Sequence, residues 1–212
     1  MGTFAPLLYP TIGGNIIVRA AASDDAAAVL AAAKLAFATS DHTLTKFDEF
    51  SMTLEQERTF IADLSAHPRQ VMAIASYEKN PSGEVLGIAV LKQNTTRRKL
   101  RHSVDLGMSV IGPARGQGVG TALLDALVRW ATAQPDLQMI TLAVYAANTA
   151  GLKLYRNLGF VEYGRLPNGL IHDDGTAWEQ VQMYRALRMQ MCKVKTPPKQ
   201  RECAPEGSLL QK

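Results

Sequence analysis

Arg115-Gly116-Gln117-Gly118-Val119-Gly120-Thr121 sets three glycines at alternate positions between two regular segments. Before it, Ser103–Val110 reads as a strand. After it, apolar residues recur at helical spacing from Val119. Glycines leave backbone N–H groups without side-chain cover, and a helix start carries unpaired N–H donors with a partial positive charge. The stretch therefore reads as an anion cradle at a strand–loop–helix junction.

Three kinds of glycine loop compete for this reading. A loop for nucleoside triphosphates ends in Gly-Lys-Ser/Thr, because the lysine reaches the terminal phosphates. No lysine is present here. A dinucleotide loop needs G-x-G-x-x-G and a later acidic residue for the ribose. Gly120 falls one position short of that spacing, and Asp136 reads as a turn residue. The third form, Arg/Gln-x-x-Gly-x-Gly/Ala, is matched by Arg115, Gly118 and Gly120. An ordinary glycine-rich turn capping a helix is the plain alternative.

The chain has 212 residues, 47% of them apolar, which suits one domain with tails. No apolar run is long enough to span a bilayer, and the first residues lack the basic and apolar regions of a secretory signal. Both cysteines, Cys192 and Cys203, lie near the C-terminal end, and the four histidines are far apart. That pattern suggests neither a disulfide framework nor a metal site, and the expected location is cytoplasmic. From Gln190 onward, five basic residues stand against two acidic ones, leaving the rest of the chain near neutral. The expected organisation is a loose leader (1–14), one domain (15–189) and a disordered basic tail (190–212). A solvated tail is a better reading than a nucleic-acid arm. No membrane partner is expected.

The periodicities predict a strand over Asn15–Ala20 and a helix from a Ser23 cap to about Phe37, with Ala26, Val29, Leu30, Ala33 and Phe37 on one face. Residues 39–53 are polar and irregular. A helix over Leu54–Ala66 stops before Pro68. Strands over Val71–Tyr77 and Val85–Gln93 flank a hairpin turn, and Arg97, Arg98, Lys99 and Arg101 make an exposed basic turn. The glycine-loop helix runs to Ala133, with Val119, Leu123, Ala126, Leu127 and Trp130 buried. Met139–Tyr145 is a strand, and Thr149–Leu158 is a helix ended by Gly159. Two strands, Phe160–Arg165 and Glu179–Leu187, follow with an irregular connection. The whole is a mixed α/β domain.

One strand after the glycine loop stands Asn148-Thr-Ala-Gly151-Leu-Lys-Leu154-Tyr155-Arg-Asn-Leu-Gly159-Phe160. Together with Arg115–Gly120, in this order and spacing, it resembles the GNAT superfamily of acetyl-CoA-dependent N-acetyltransferases. The features after Phe160 look most like the RimJ/RimL type. The resemblance spans residues 15–188. It implies a mostly antiparallel central sheet of about seven strands flanked by helices and splayed at the central strands.

The resemblance also implies site residues. Gly116, Gln117, Gly118, Val119, Gly120 and Thr121, with Arg115, would hold the pyrophosphate of acetyl-CoA. Met108 and Val110 would bond its pantetheine arm as a pseudo-strand. Asn148 would hydrogen-bond the cofactor or a water, or cap its helix, or both. Tyr155 is the candidate general acid: a tyrosine titrates near about 10 and a thiol near about 8.5, so a phenol can protonate a departing thiolate at modest cost. At pH 7 a lysine-like amine costs about 4.6 kcal/mol to deprotonate and an α-amine about 1.4 kcal/mol. Asp105, an acid inside an apolar strand, is the candidate base; a solvent-facing position or an Arg101 partner is the plainer reading. The acceptor would be a small-molecule amine or a protein N-terminus. A non-catalytic acyl-CoA sensor of the same fold is the alternative. No metal is expected, and the oligomeric state stays open, a homodimer included.

Overall fold

The computed structural model describes residues 1–93 and 97–188. Eight strands and four helices follow one another as β1 (Leu7–Thr11), β2 (Gly14–Ala20), α1 (Ala26–Ala38), α2 (Leu54–Ala66), β3 (Val71–Tyr77), β4 (Val85–Lys92), β5 (Ser103–Val110), α3 (Val119–Ala133), β6 (Met139–Tyr145), α4 (Thr149–Asn157), β7 (Val161–Ile171) and β8 (Ala177–Ala186). They form one sheet in the order β1-β2-β3-β4-β5-β6-β8-β7. All neighbours are antiparallel except β5 and β6.

That one parallel pair is short. β5 and β6 pair only from Ser103–Met139 to Asp105–Thr141, whereas β4 stays paired with β5 as far as Gly87–Val110. Beyond Asp105 the two central strands part, and a cleft opens between them. The splayed sheet implied by the resemblance is therefore present.

Local chemistry explains most element ends. Thr53 and Gln56 cap α2 reciprocally: the Gln56 N–H donates to Thr53 Oγ1 (3.2 Å) and the Thr53 N–H to Gln56 Oε1 (2.8 Å). Gly159 ends the helix-to-strand turn after α4 with φ +81°, a conformation glycine adopts without penalty. β3 and β4 are apolar on both faces because helices cover both sides. α3 buries nine of its residues, among them the five expected from the sequence, against β2–β5.

Four expectations change. The leader is not all loose, because residues 7–11 pair along β2 as an edge strand. Ser23 does not cap α1; a short 3₁₀ turn precedes the helix, and the Asp25 carboxylate accepts from the Ala22 N–H (2.8 Å) while pairing with Arg19 (2.7 Å). On α1 the deeply buried residues include Ala32 and Ala36, with Ala33 and Phe37 only half-buried. The last two strands are longer than expected and nearly meet, forming a hairpin whose register shifts between Leu166 and Leu170. The expected tail, 190–212, lies outside the described residues.

Leu123 of α3 is fully buried, and its Cδ1 lies against Gly87 of β4. Leu123→Ala is expected to cost about 3 kcal/mol, the usual penalty for truncating a fully buried leucine. Urea denaturation checks this as a lowered midpoint at unchanged slope.

Candidate active site

The glycine loop sits where β5 ends and α3 begins, at the mouth of the cleft. Gly116 (φ +73°) and Gly118 (φ +99°) occupy left-handed backbone, which only glycine reaches at low cost. The N–H groups of Gly116, Gln117 and Gly118 find no acceptor of good geometry among the described residues. With the first-turn N–H groups of Val119, Gly120 and Thr121, they form a donor-rich concavity of the kind that holds a pyrophosphate.

The side chains around this loop do other things. Val119 is buried in the core, so it offers only its main chain. A Cβ on Gly120 would come within 3.2 Å of Leu154 and 3.6 Å of Met108, so this glycine lets α3, α4 and β5 approach closely. The Gln117 side-chain amide donates to the Pro113 carbonyl (2.6 Å), while the Gln117 carbonyl accepts from the Ile12 N–H (3.2 Å). The β1–β2 turn thus docks on the loop. Thr121 lines the cavity.

Register decides what β5 offers the cleft. The Ile111 N–H bonds the Leu86 carbonyl (3.0 Å), so in this antiparallel pairing the odd-numbered residues of β5 bond β4. The main-chain groups of Met108 and Val110 consequently point away from β4, toward the gap left by β6. These are the two residues expected to bond an extended ligand. The Val110 carbonyl already accepts from Arg115 Nε (3.0 Å).

Tyr155 on α4 and Asn148 at its N-cap line the same cavity of about 680 Å³. The Asn148 side chain accepts from the Gly151 N–H (2.9 Å), the N-cap bond, and also lines the cavity. Tyr155 is buried, with its ring against Phe160 (5.8 Å between centroids). Desolvation pushes its phenol up to about 12.

Asp105 stands at the closed end of the cleft, where Thr141 Oγ1 donates to its carboxylate. It belongs to the odd-numbered face of β5, whereas Met108 and Val110 face α3 and α4. The candidate acid and candidate base are therefore on opposite faces of the sheet. Gly107 and Ala143 leave the Asp105 face open between the two strands.

Two features carry no sequence motif. Residues 39–53 bring Ser40, His42 and Thr43 to the cavity wall. His42 packs near Tyr145 (6.1 Å) and Trp178 (5.7 Å), and His172 lies 4.3 Å from Trp178. Burial pushes the Tyr145 phenol up, and its hydroxyl donates to the Thr43 carbonyl (3.1 Å). These rings come from three distant segments with no common spacing, so no stretch of sequence brings them together. The second is the Arg115 guanidinium, whose acceptors are carbonyls and a hydroxyl of residues 36, 39 and 110. Among the described residues no three His, Cys, Asp or Glu side chains gather as metal ligands would, and no helix is long and apolar enough to cross a membrane.

Comparison with known proteins agrees with this fold. The family model described as "Acetyltransferase (GNAT) family" matches residues 36–160. L-methionine sulfoximine/L-methionine sulfone acetyltransferases of Pseudomonas aeruginosa and Pseudomonas paraeruginosa are each 36% identical over 86 residues, or 41% of this chain and 49% of theirs. The chain thus spans about half the length of the curated relatives it matches. A GNAT-family acetyltransferase from Streptococcus pneumoniae superposes with a TM-score of 0.76 at 25% identity, over 81% of this chain and 99% of its own. A phosphinothricin acetyltransferase from Sinorhizobium meliloti, solved with acetyl-CoA, shares the fold with a TM-score of 0.70 at 20% identity, over 84% of this chain and 89% of its own.

Gly118→Ala is expected to destabilise the fold by about 1–2 kcal/mol, the cost of left-handed backbone for a residue with a Cβ. The nearest Thr11 atoms would be 3.8 Å from that Cβ, so strain rather than a clash is responsible. Thermal denaturation measures the difference. Tyr155 predicts a second effect. The folded state holds its proton up to about pH 12, while the unfolded tyrosine releases it near 10. Its contribution to stability is intact below pH 10 and is lost between pH 10 and about 12, amounting to about 3 kcal/mol. Denaturation of the wild type and of Tyr155→Phe at pH 8 to 11.5 is expected to show the wild type losing more stability with rising pH than the variant.

Proposed function

The chain belongs to the acetyltransferase (GNAT) family, and from that premise we propose that it transfers an acetyl group from acetyl-CoA to a primary amine by direct attack. The observation that carries this reading is the cleft between β5 and β6. It has an unpaired N–H cradle at its mouth, main chain of Met108 and the Val110 N–H turned away from β4, and the Tyr155 phenol on one wall. A diphosphate fits the cradle because Gly116 and Gly118 expose their N–H groups and carry no Cβ to block approach. Met108 and Val110 would hold the pantetheine amides, and Asn148 would bond the same arm or a bridging water.

Acetyl-CoA, when bound, supplies the acetyl thioester. Tyr155 holds a proton on its hydroxyl and delivers it to the departing thiolate. At about 12 the phenol is fully protonated at neutral pH, as an acid must be. Handing that proton to a thiolate of ordinary basicity, near about 8.5, costs about 5 kcal/mol. The same desolvation that lifts the phenol also lifts a thiol in the cavity, which narrows the gap. Asp105 would take the amine proton, directly or through a water. Because the Asp105 face is opposite the Tyr155 face, the amine and the thiolate use different sides of the sheet.

The acceptor we favour is a small amino-acid-like α-amine. The support is the 36% identity to the methionine sulfoximine acetyltransferases, whose named substrates are of that class. An α-amine also asks less of a single carboxylate base, costing about 1.4 kcal/mol to deprotonate at pH 7. The RimJ/RimL-like features support a protein N-terminus as the second acceptor class.

Titration calorimetry with acetyl-CoA is the first test, and failure to bind at millimolar concentration would remove the proposal. Thiol release with a panel of α-amino acids and N-terminal peptides then identifies the acceptor. With any turnover substrate, Tyr155→Phe is expected to lower kcat at least about 100-fold, the usual scale for a general acid, while leaving acetyl-CoA affinity nearly unchanged. An unchanged kcat would refute the acid role. Binding of acetyl-CoA with no acetylated amine would favour the sensor alternative.

A further inference from the structure

Arg115 opens the glycine loop, yet its side chain does not face the cradle. Nε donates to the Val110 carbonyl (3.0 Å), Nη1 to the Thr39 carbonyl (2.6 Å), and Nη2 to the Ala36 carbonyl (3.3 Å) and Thr39 Oγ1 (3.1 Å). Its main-chain N–H donates to Gly112 (3.2 Å). A guanidinium has five N–H donors in a planar fork, and here every nitrogen has a neutral oxygen partner.

Those partners share a location. The last carbonyls of a helix have no intrahelical N–H, and they carry the negative end of the helix dipole. α1 has no basic residue in its last turn and ends at Thr39 without a glycine. Arg115, 76 positions away in sequence, supplies the cation and the donors. Thr39 is also the first residue of the 39–53 segment, which carries Ser40, His42 and Thr43 to the cavity wall. The far side of that segment is pinned separately. Tyr145 bonds Thr43, His42 packs near Trp178, and Lys46 pairs with Asp173 on the β7–β8 hairpin.

We propose that Arg115 is a positioning residue rather than a phosphate ligand. It fastens the base of the acceptor-side segment to the glycine loop, so that a diphosphate seated on the cradle steadies residues 39–46. This inference rests on the reading of the cradle as the acetyl-CoA diphosphate site. The adjacent Gly116 holds φ +73° and an N–H facing the cradle, so immobilising it restrains Arg115 one bond away. The restraint then passes through four hydrogen bonds to Ala36, Thr39 and Val110.

The experiment uses the full chain, with acetyl-CoA as the probe. Calorimetry and hydrogen exchange are run on the wild type, Arg115→Gln and Arg115→Ala, with circular dichroism to establish that each variant is folded. In the wild type, acetyl-CoA is expected to slow amide exchange in residues 39–46. Arg115→Gln is expected to bind acetyl-CoA within about threefold of the wild type, because the loop N–H groups remain. Exchange in 39–46 should be faster than in the wild type, and the slowing by acetyl-CoA should largely vanish. A drop in affinity of about tenfold or more in Arg115→Gln, with exchange in 39–46 unaltered, would make Arg115 a phosphate ligand and overturn the inference. Normal affinity with normal protection of 39–46 in the variants would overturn it as well, while leaving the acetyl-CoA reading intact. A wild-type protein that does not bind acetyl-CoA would instead remove both. If Arg115→Ala proves unfolded, Arg115→Gln alone decides, since its amide keeps one donor for Thr39.

Discussion

Everything chemical in this protein depends on a hydrogen-bond ladder that stops. β5 and β6 share only the pairing from Ser103 to Asp105, and then the strands separate. Unpaired strand edges in a sheet are costly when buried, because each N–H and C=O has left water without a partner. Here the gap lies between one side of β5 and one side of β6, since β4 holds the other side of β5 from Asp105 to Val110 and β8 the other side of β6. The gap is therefore a rigid slot with a polar rail. On the proposed reading an extended ligand would complete the ladder, and the edge would cease to be a liability.

The surrounding parts follow from that slot. The glycine loop follows the free end of β5 after one short turn, so its free N–H groups and the main-chain rail meet at the mouth of the slot. Close packing at Gly120 brings α4 against the start of α3, which sets Tyr155 beside the rail. Burial that makes Tyr155 part of the core also makes its phenol slow to give up a proton, which weighs against it in the proposed acid role. The same desolvation raises the basicity of whatever thiolate leaves there, so the two shifts partly offset. A segment without regular structure, residues 39–46, forms part of the cavity wall, and its geometry depends on anchors at both ends: Arg115 on one side, Tyr145 and the β7–β8 hairpin on the other.

Most of the interior was legible from residue order. α2, β3, β5, α3 and β6 have the bounds that periodicity and punctuation predict, because caps, glycines and prolines end elements locally. The errors fall at the sheet edges. β1 contains Pro10 and precedes Gly13-Gly14, which read as loop; an edge strand tolerates proline because one side needs no N–H. β7, the other edge, contains Pro167 and Gly169, and accommodates them with a register shift at Leu166–Leu170. At both places the local signal was correct about the residues and silent about the partner strand that overrides it.

The sequence by itself determined the glycine loop at its strand–helix junction and the capping Asn148, and its resemblance to the acetyltransferases pointed to Met108, Val110 and Tyr155. Each of these belongs to a short segment whose residue types and spacing carry its geometry. Tertiary structure alone decided what lies opposite them. It paired Asp105 with Thr141 on the far face, gathered His42, Tyr145, His172 and Trp178, and turned the Arg115 guanidinium toward the end of α1. The physical reason is separation along the chain. A helix carbonyl at Ala36 and a guanidinium at Arg115 have no common period, so their meeting is a property of how the sheet carries α1 and the glycine loop to the same end.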